Sequence, residues 1–172
     1  MPEPTLLVIE PHENLRDAYA SVLRFAGYRV HEASCGVSAR ERLQTERPAL
    51  VLMNVQLPLL EDALMLMRRS RTDAALQATV WVALCRSDAP FSGAQQSEFD
   101  AVLHPPLSYT QLVGTASLFV DGERSGHGSM SASAMWSTDP NGSVLARGGL
   151  NSERRRRTLS LDTLIGVGSQ WS

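Results

Sequence analysis

The sequence predicts an α/β fold, a doubly wound parallel sheet, and three observations carry that prediction. Short apolar runs recur along residues 1–120, stretches with apolar residues at 3–4 spacing lie between them, and one strand-plus-helix unit takes about 20–25 residues. Strands joined through helices in this way run parallel, with right-handed crossovers, and are buried on both faces.

Five strands are expected, at Leu6–Ile9, Tyr28–Glu32, Leu50–Met53, Val80–Leu84 and Ala101–Leu103. The first, third and fourth are continuously apolar, the pattern of strands covered on both sides. After the first, Leu15, Ala18, Tyr19, Val22, Leu23 and Ala26 mark one helical stripe, and Gly27 ends it. Leu64, Leu66, Met67 and Ser70 mark a second helix more loosely. Its C-terminus carries Arg68, Arg69 and Arg71, where positive charge suits the helix dipole. A last helix starts at Ser108, with Gln111 completing a capping box and Leu112, Ala116 and Phe119 on one stripe. Met53, Met65, Met67 and Trp81 read as core packing, and His12 and His31 as solvated or capping groups.

Composition narrows the function. The chain has 172 residues and a formal charge of −2, with 18 Asp+Glu against 16 basic residues, every one of them arginine. Without lysine there is no Schiff base, no pyridoxal anchor, no phosphate-loop lysine and no kinase-type strand lysine. The length fits one domain of about 100–150 residues with an extension, and 43% hydrophobic content suffices for a sizeable core. Near-neutral charge gives no overall attraction to nucleic acid or membrane, so such a role would rest on a local patch. Cys35 and Cys85 stand alone, which argues against a disulfide framework and a structural metal and makes reduced cytoplasm the expected location. The opening MPEPTLLVIEP has only a short apolar stretch flanked by acids and reads as neither a signal peptide nor a membrane span.

The composition changes near Asp121: four glycines lie before it and eight after. Residues 121–152 read as a flexible Gly/Ser-rich linker, with one candidate hairpin where AMWS and SVLA flank Asp139-Pro140-Asn141-Gly142. Residues 153–172 differ in kind. Arg154, Arg155, Arg156 and Arg157 precede Leu161, Leu164, Ile165 and Trp171, a basic-then-apolar order. A docking peptide that enters a groove or adds a strand to a sheet is expected there. A phosphate-contacting tether to membrane or nucleic acid and a plain solvated terminus are the alternatives. Thr158 and Ser160, just after the arginines, resemble substrates of basophilic kinases.

Chemistry in a parallel α/β sheet gathers at the carboxyl ends of the strands. Those ends carry Glu10-Pro11, Asn54, Cys85 and His104-Pro105-Pro106. Together with the ordered segments LLVIEPHENLR, FAGYRVHEASCG, ERPALVLMNVQLP, VWVALC and FDAVLHPPL, they make residues 4–120 resemble the receiver domains of bacterial response regulators. The resemblance implies a flavodoxin-like five-stranded fold over residues 1–120. In the family, an aspartate is phosphorylated by a histidine kinase with Mg²⁺ bound.

Carried over residue by residue, the resemblance also implies loss. The family's acidic pair falls on Glu10 and Pro11, its phospho-accepting aspartate on Asn54, its hydroxyl residue on Cys85, its lysine on Pro105 and its switch aromatic on Val102. Pro106, which in the family follows a cis peptide bond, is kept, while the loop after Pro58 lacks the family's glycines. An amide oxygen is a poor nucleophile, and Glu10 with an asparagine carbonyl is thin provision for Mg²⁺. The expectation is a degenerate receiver: a non-enzymatic adaptor or regulator of bacterial signalling, without cofactor or metal, acting by protein contacts independently of phosphorylation. The family's dimer and partner face, on the fourth and fifth helices, would here include Val102, Leu107 and Leu112. Three other chemistries share the rim: a switch by a small ligand or partner around Glu10 and Asn54, a Cys85–His104–Asn54 hydrolase, and a metal site from Glu10, Cys85 and His104.

Overall fold

The structure, a computed structural model, describes residues 3–56 and 60–121 and three further strands at 134–138, 144–148 and 158–159. Five parallel strands, β1 (Thr5–Ile9), β2 (Arg29–Ala33), β3 (Leu50–Asn54), β4 (Val80–Leu84) and β5 (Ala101–Leu103), stand in the order β2-β1-β3-β4-β5. The register aligns Ile9 with Met53, Asn54 with Leu84 and Leu84 with Leu103, so all five strands end on one rim.

The continuous apolar runs are explained by two cores. Leu7, Ile9, Val51, Met53, Trp81, Ala83 and Val102 face one side of the sheet, where α2 (Gly36–Glu46) and α3 (Leu60–Arg71) contribute Ala39, Leu43, Leu64 and Met67. Their alternates Leu6, Val8, Leu50, Leu52, Val82, Leu84, Ala101 and Leu103 meet Tyr19 and Leu23 of α1 (Glu13–Phe25) and Leu112 and Ala116 of α5 (Tyr109–Ala116). A strand between two helical layers must be apolar at successive positions, which erases the period-2 signal of a one-sided sheet.

The helix signals hold in detail. Gly27 takes φ 94°, the left-handed turn that releases the chain from α1, and Tyr28 N–H bonds back to Leu23 O. At α5, Ser108 Oγ accepts from Gln111 N–H at 3.2 Å while Gln111 Oε1 accepts from Ser108 N–H at 2.9 Å, the expected reciprocal box. The stripe on α1 is rotated from the expected one: Tyr19, Ala20 and Leu23 are buried, whereas Leu15 and Ala18 are exposed. Val22 and Ala26 pack against the core as expected, and Arg16 lies on the inward side, its guanidinium bonding the Glu10 carbonyl at 3.0 Å. Met53 and Met67 are buried as packing groups, but Met65 faces solvent.

Two elements carried no sequence signal. Helix α2 buries only Ala39 and Leu43, too sparse a stripe to announce itself. Helix α4 (Gly93–Gln96) is four residues long, and the segment around it packs through an edge-to-face pair of Phe91 and Phe99, with centroids 5.8 Å apart. Arginines of α3 clamp this segment. Arg68 makes a two-pronged bond to Glu98 at 2.7 and 2.6 Å, and Arg71 bonds Glu98 O at 2.6 Å and Asp100 Oδ2 at 3.1 Å. Burial pushes the Asp100 carboxyl up despite Arg71, and Asp100 also accepts the Trp81 N–H at 2.8 Å. The helix-terminal arginines thus join elements as well as suiting the dipole.

Beyond β5 the sheet continues with β6 (Ala134–Thr138), parallel to β5, then β7 (Val144–Gly148) and β8 (Thr158–Leu159), each antiparallel to its predecessor. The first two lie inside the stretch whose composition reads as linker, and they are the two arms of the candidate hairpin. The rest of 122–157, including Arg154 to Arg157, and the tail residues Leu161, Leu164, Ile165 and Trp171 lie outside the described residues, as does the loop around Pro58.

Leu52→Ala, in the fully packed centre, is expected to lower unfolding free energy by about 2–5 kcal/mol. Phe25→Ala, at a side chain 86% exposed, should change it by less than about 0.5 kcal/mol. Urea denaturation of the two variants checks both the burial pattern and the α1 register.

Candidate functional site

Parallel alignment brings Glu10, Asn54, Cys85 and His104 to the same rim, each at or just past the end of its strand. The geometry there is closed. Glu10 is 1% exposed, and both carboxylate oxygens are occupied: Oε1 accepts the His12 backbone N–H at 3.0 Å and Oε2 accepts Asn54 Nδ2 at 2.9 Å. Asn54 Oδ1 accepts the Gln56 N–H at 2.9 Å. Only this orientation of the amide satisfies both neighbours, a carboxylate that needs a donor and an N–H that needs an acceptor. The result is one chain of hydrogen bonds, His12–Glu10–Asn54–Gln56, stitching β1 to β3.

No ion pair to Glu10 occurs among the described residues. Arg16, the nearest candidate, bonds the Glu10 backbone carbonyl and lies 3.5 Å from Glu32, so its charge serves a different carboxylate. The negative charge of Glu10 is felt instead at Tyr19, whose phenol is pushed up by burial and, secondarily, by that carboxylate.

The other rim residues are equally engaged. Cys85 is buried, its thiol donates to Arg86 O at 3.3 Å, and burial, with a smaller push from Asp88, holds the thiol pKa up. His104 Nδ1 lies 2.8 Å from the backbone carbonyl of Cys85, and because a carbonyl only accepts, Nδ1 is the donor in this bond. The imidazole therefore meets a carbonyl and not the sulfur, while Asn54 is tied to Glu10, so the three residue types of a hydrolase do not form a relay. The Pro105–Pro106 bond is cis, as the resemblance implies.

A divalent cation does not fit these groups. Mg²⁺ wants several free hard oxygens in an octahedron, yet both oxygens of Glu10 and the amide oxygen of Asn54 already accept N–H bonds. Among the described residues no group of three or more His, Cys, Asp or Glu could hold a metal, which also removes the Glu10–Cys85–His104 alternative. Nor is any described helix long and apolar enough to cross a membrane.

The expected partner residues need correction. Val102 and Leu112 are 2% and 4% exposed, each in one of the two cores, because β5 and α5 turn these positions inward. They hold the fold together and offer no surface. Leu107 is half-buried against the core. A polar cleft of about 630 Å³ between α1 and α2, lined by Arg16, Glu32, Ser38, Glu41 and Arg42, had no signal in the sequence, since its walls come from separate elements. At its margin Cys35 caps α2, exposed, with its thiol held below the usual range by hydrogen bonds from Ser38 and the Val37 backbone.

With this geometry in hand, the fold can be placed. The chain has the fold of CheY-like receiver domains. It superposes on the chemotaxis response regulator CheY4 of Vibrio cholerae with a TM-score of 0.63 at 18% identity, covering 69% of this chain and 100% of that one. It is similar to a CheY-like receiver domain from Methylobacillus flagellatus (TM-score 0.62, 17% identity, 69% and 99% covered) and to one from Methanospirillum hungatei (0.64, 16%, 73% and 100%). No protein-family model matches the chain, and no curated protein matches it.

Two tests follow from this rim. Asn54→Asp replaces the donor by a carboxylate facing Glu10, and two such groups share a proton, so one of them takes a raised pKa. The folded state then binds more protons than the unfolded one. The variant should be destabilised by about 1–3 kcal/mol at pH 7.5 and regain much of that at pH 4.5, read as the urea midpoint at each pH. Separately, brief iodoacetamide treatment at pH 7 should label Cys35 and leave Cys85 unmodified, as measured by peptide mass spectrometry.

Proposed function

We propose that this protein is a phosphorylation-independent adaptor or regulator in bacterial two-component signalling, a receiver-type scaffold that works through protein–protein contacts and performs no catalysis. The hydrogen bond from Asn54 to Glu10 carries this reading. At the position matching the phospho-accepting carboxylate stands an amide, and that amide is already donating to the acid that would help hold a metal. Cys85 supplies a buried, weakly donating thiol in place of a hydroxyl, and Pro105 supplies no cation.

With both Glu10 oxygens and the Asn54 amide engaged inside the fold, the site has no group through which a phosphoryl transfer would bias a second arrangement. Signalling by this chain then depends on when and where a partner meets it. Contact area of suitable chemistry exists on the helices flanking the second core, where Leu15, Phe25, Tyr109 and Leu118 leave apolar surface in solvent. The expected partners are proteins of the same pathway, and the expected compartment is the cytoplasm.

Incubation of the full chain with acetyl phosphate and Mg²⁺, followed by intact-mass spectrometry, should show no acid-stable or acid-labile gain of about 80 Da. A stoichiometric adduct mapped to residues 1–121 would overturn the proposal.

A further inference from the structure

We propose that the strands β6, β7 and β8 are a built-in cap on the free edge of β5, and that they keep a second copy of this chain from pairing there. Without them β5 would be an edge strand of the sheet. Its three residues, Ala101, Val102 and Leu103, are apolar and 2% exposed, and they pair with β4 on one side. The other side would be a row of unpaired N–H and C=O groups on an apolar strand, the usual template for edge-to-edge association. The preceding helix is too short to cover it, since α4 has four residues.

The chain supplies the missing neighbour itself. β6 runs parallel to β5, with Ala101 beside Trp136 and Val102 beside Ser137. A parallel neighbour needs a crossover of about a dozen residues or more, and the thirty residues 104–133, which include α5, provide it. β7 then pairs antiparallel with β6 across the five residues Asp139 to Ser143, a connection of hairpin length that contains Pro140 and Asn141-Gly142. Turn chemistry, crossover length and strand direction agree with one another, and agreement across levels is what a specified structure shows. The new outer edge, β8, is two residues long and directly follows four arginines in sequence; shortness and nearby charge are devices that blunt an edge. A strand-adding role is thereby given to the C-terminal region with this same chain as the recipient. It stands apart from the absence of phosphotransfer, so either can fail without the other.

The full chain tests it by hydrogen exchange combined with light scattering across micromolar concentrations. The wild type is expected to be a monomer in which amides of 134–138 exchange about tenfold or more below unstructured-chain rates. Ser137→Pro removes a strand N–H and fixes φ. It should abolish that protection, expose 101–103 and produce concentration-dependent dimers, while Leu6–Ile9 stays protected as proof that the cores persist. If Ser137→Pro unfolds globally, Trp136→Gly weakens the same strand more gently and is read the same way. Unstructured-chain exchange at 134–138 in the wild type overturns the cap. So does protection in a dimer, which means the strand is contributed by a neighbour, and so does a folded variant that loses the strand yet remains monomeric.

Discussion

A carboxylate that is almost wholly removed from water must find donors inside the protein, and Glu10 finds two: a backbone N–H at the start of α1 and the amide of Asn54 at the end of β3. Much of the rim follows from that demand. The His12 bond fixes how the chain leaves β1 for α1, and the Asn54 bond locks the ends of the two central strands. Arg16, one turn into the helix, bonds the carbonyl of the same Glu10 and adds a second tie between α1 and the end of β1. A charge held by neutral donors has little tolerance for change, because losing either donor leaves the carboxylate short of a partner. The rim is therefore a structural joint between β1, α1 and β3.

The second organising constraint is the exclusive use of arginine. A guanidinium presents a planar fork that binds a carboxylate with two parallel bonds, which an ammonium does not. The chain uses such a fork where Arg68 on Glu98 joins α3 to the segment before β5, while Arg16 and Arg24 converge on Glu32 through one contact each to tie α1 to β2. The absence of lysine and the asparagine at position 54 are separate features of the sequence, since a lysine-to-arginine bias leaves acidic positions alone.

The two cysteines show how environment decides reactivity. Cys85, just past the end of β4, is buried with its thiol pKa raised, while Cys35, two residues past the end of β2, is exposed with a lowered thiol pKa. Residue type and strand-end position suggested the first as the nucleophile candidate, and packing assigns the greater thiolate character to the second.

The five strands, their burial on both faces and the caps at Gly27 and Ser108 were legible because they are local: a run of apolar residues, a turn conformation, a serine three positions before a glutamine. The identity of the rim residues was legible for the same reason, since strand ends follow from strand positions. Helix α2 was not legible, because two buried residues make no stripe, and neither was the inward place of Arg16 on α1, because it answers to a carbonyl on another element. Val102 and Leu112 were misjudged as surface because a sequence does not say which side of a strand or helix faces the second layer. By itself, then, the sequence determined the fold class and the absence of a phosphorylatable aspartate and its lysine. Only the tertiary structure decided that Asn54 closes on Glu10, that the His104 ring meets the Cys85 carbonyl while the Cys85 thiol turns to Arg86 O, and that the chain carries its own neighbour for β5. Each of those depends on distances between residues far apart in the chain, which no local pattern encodes.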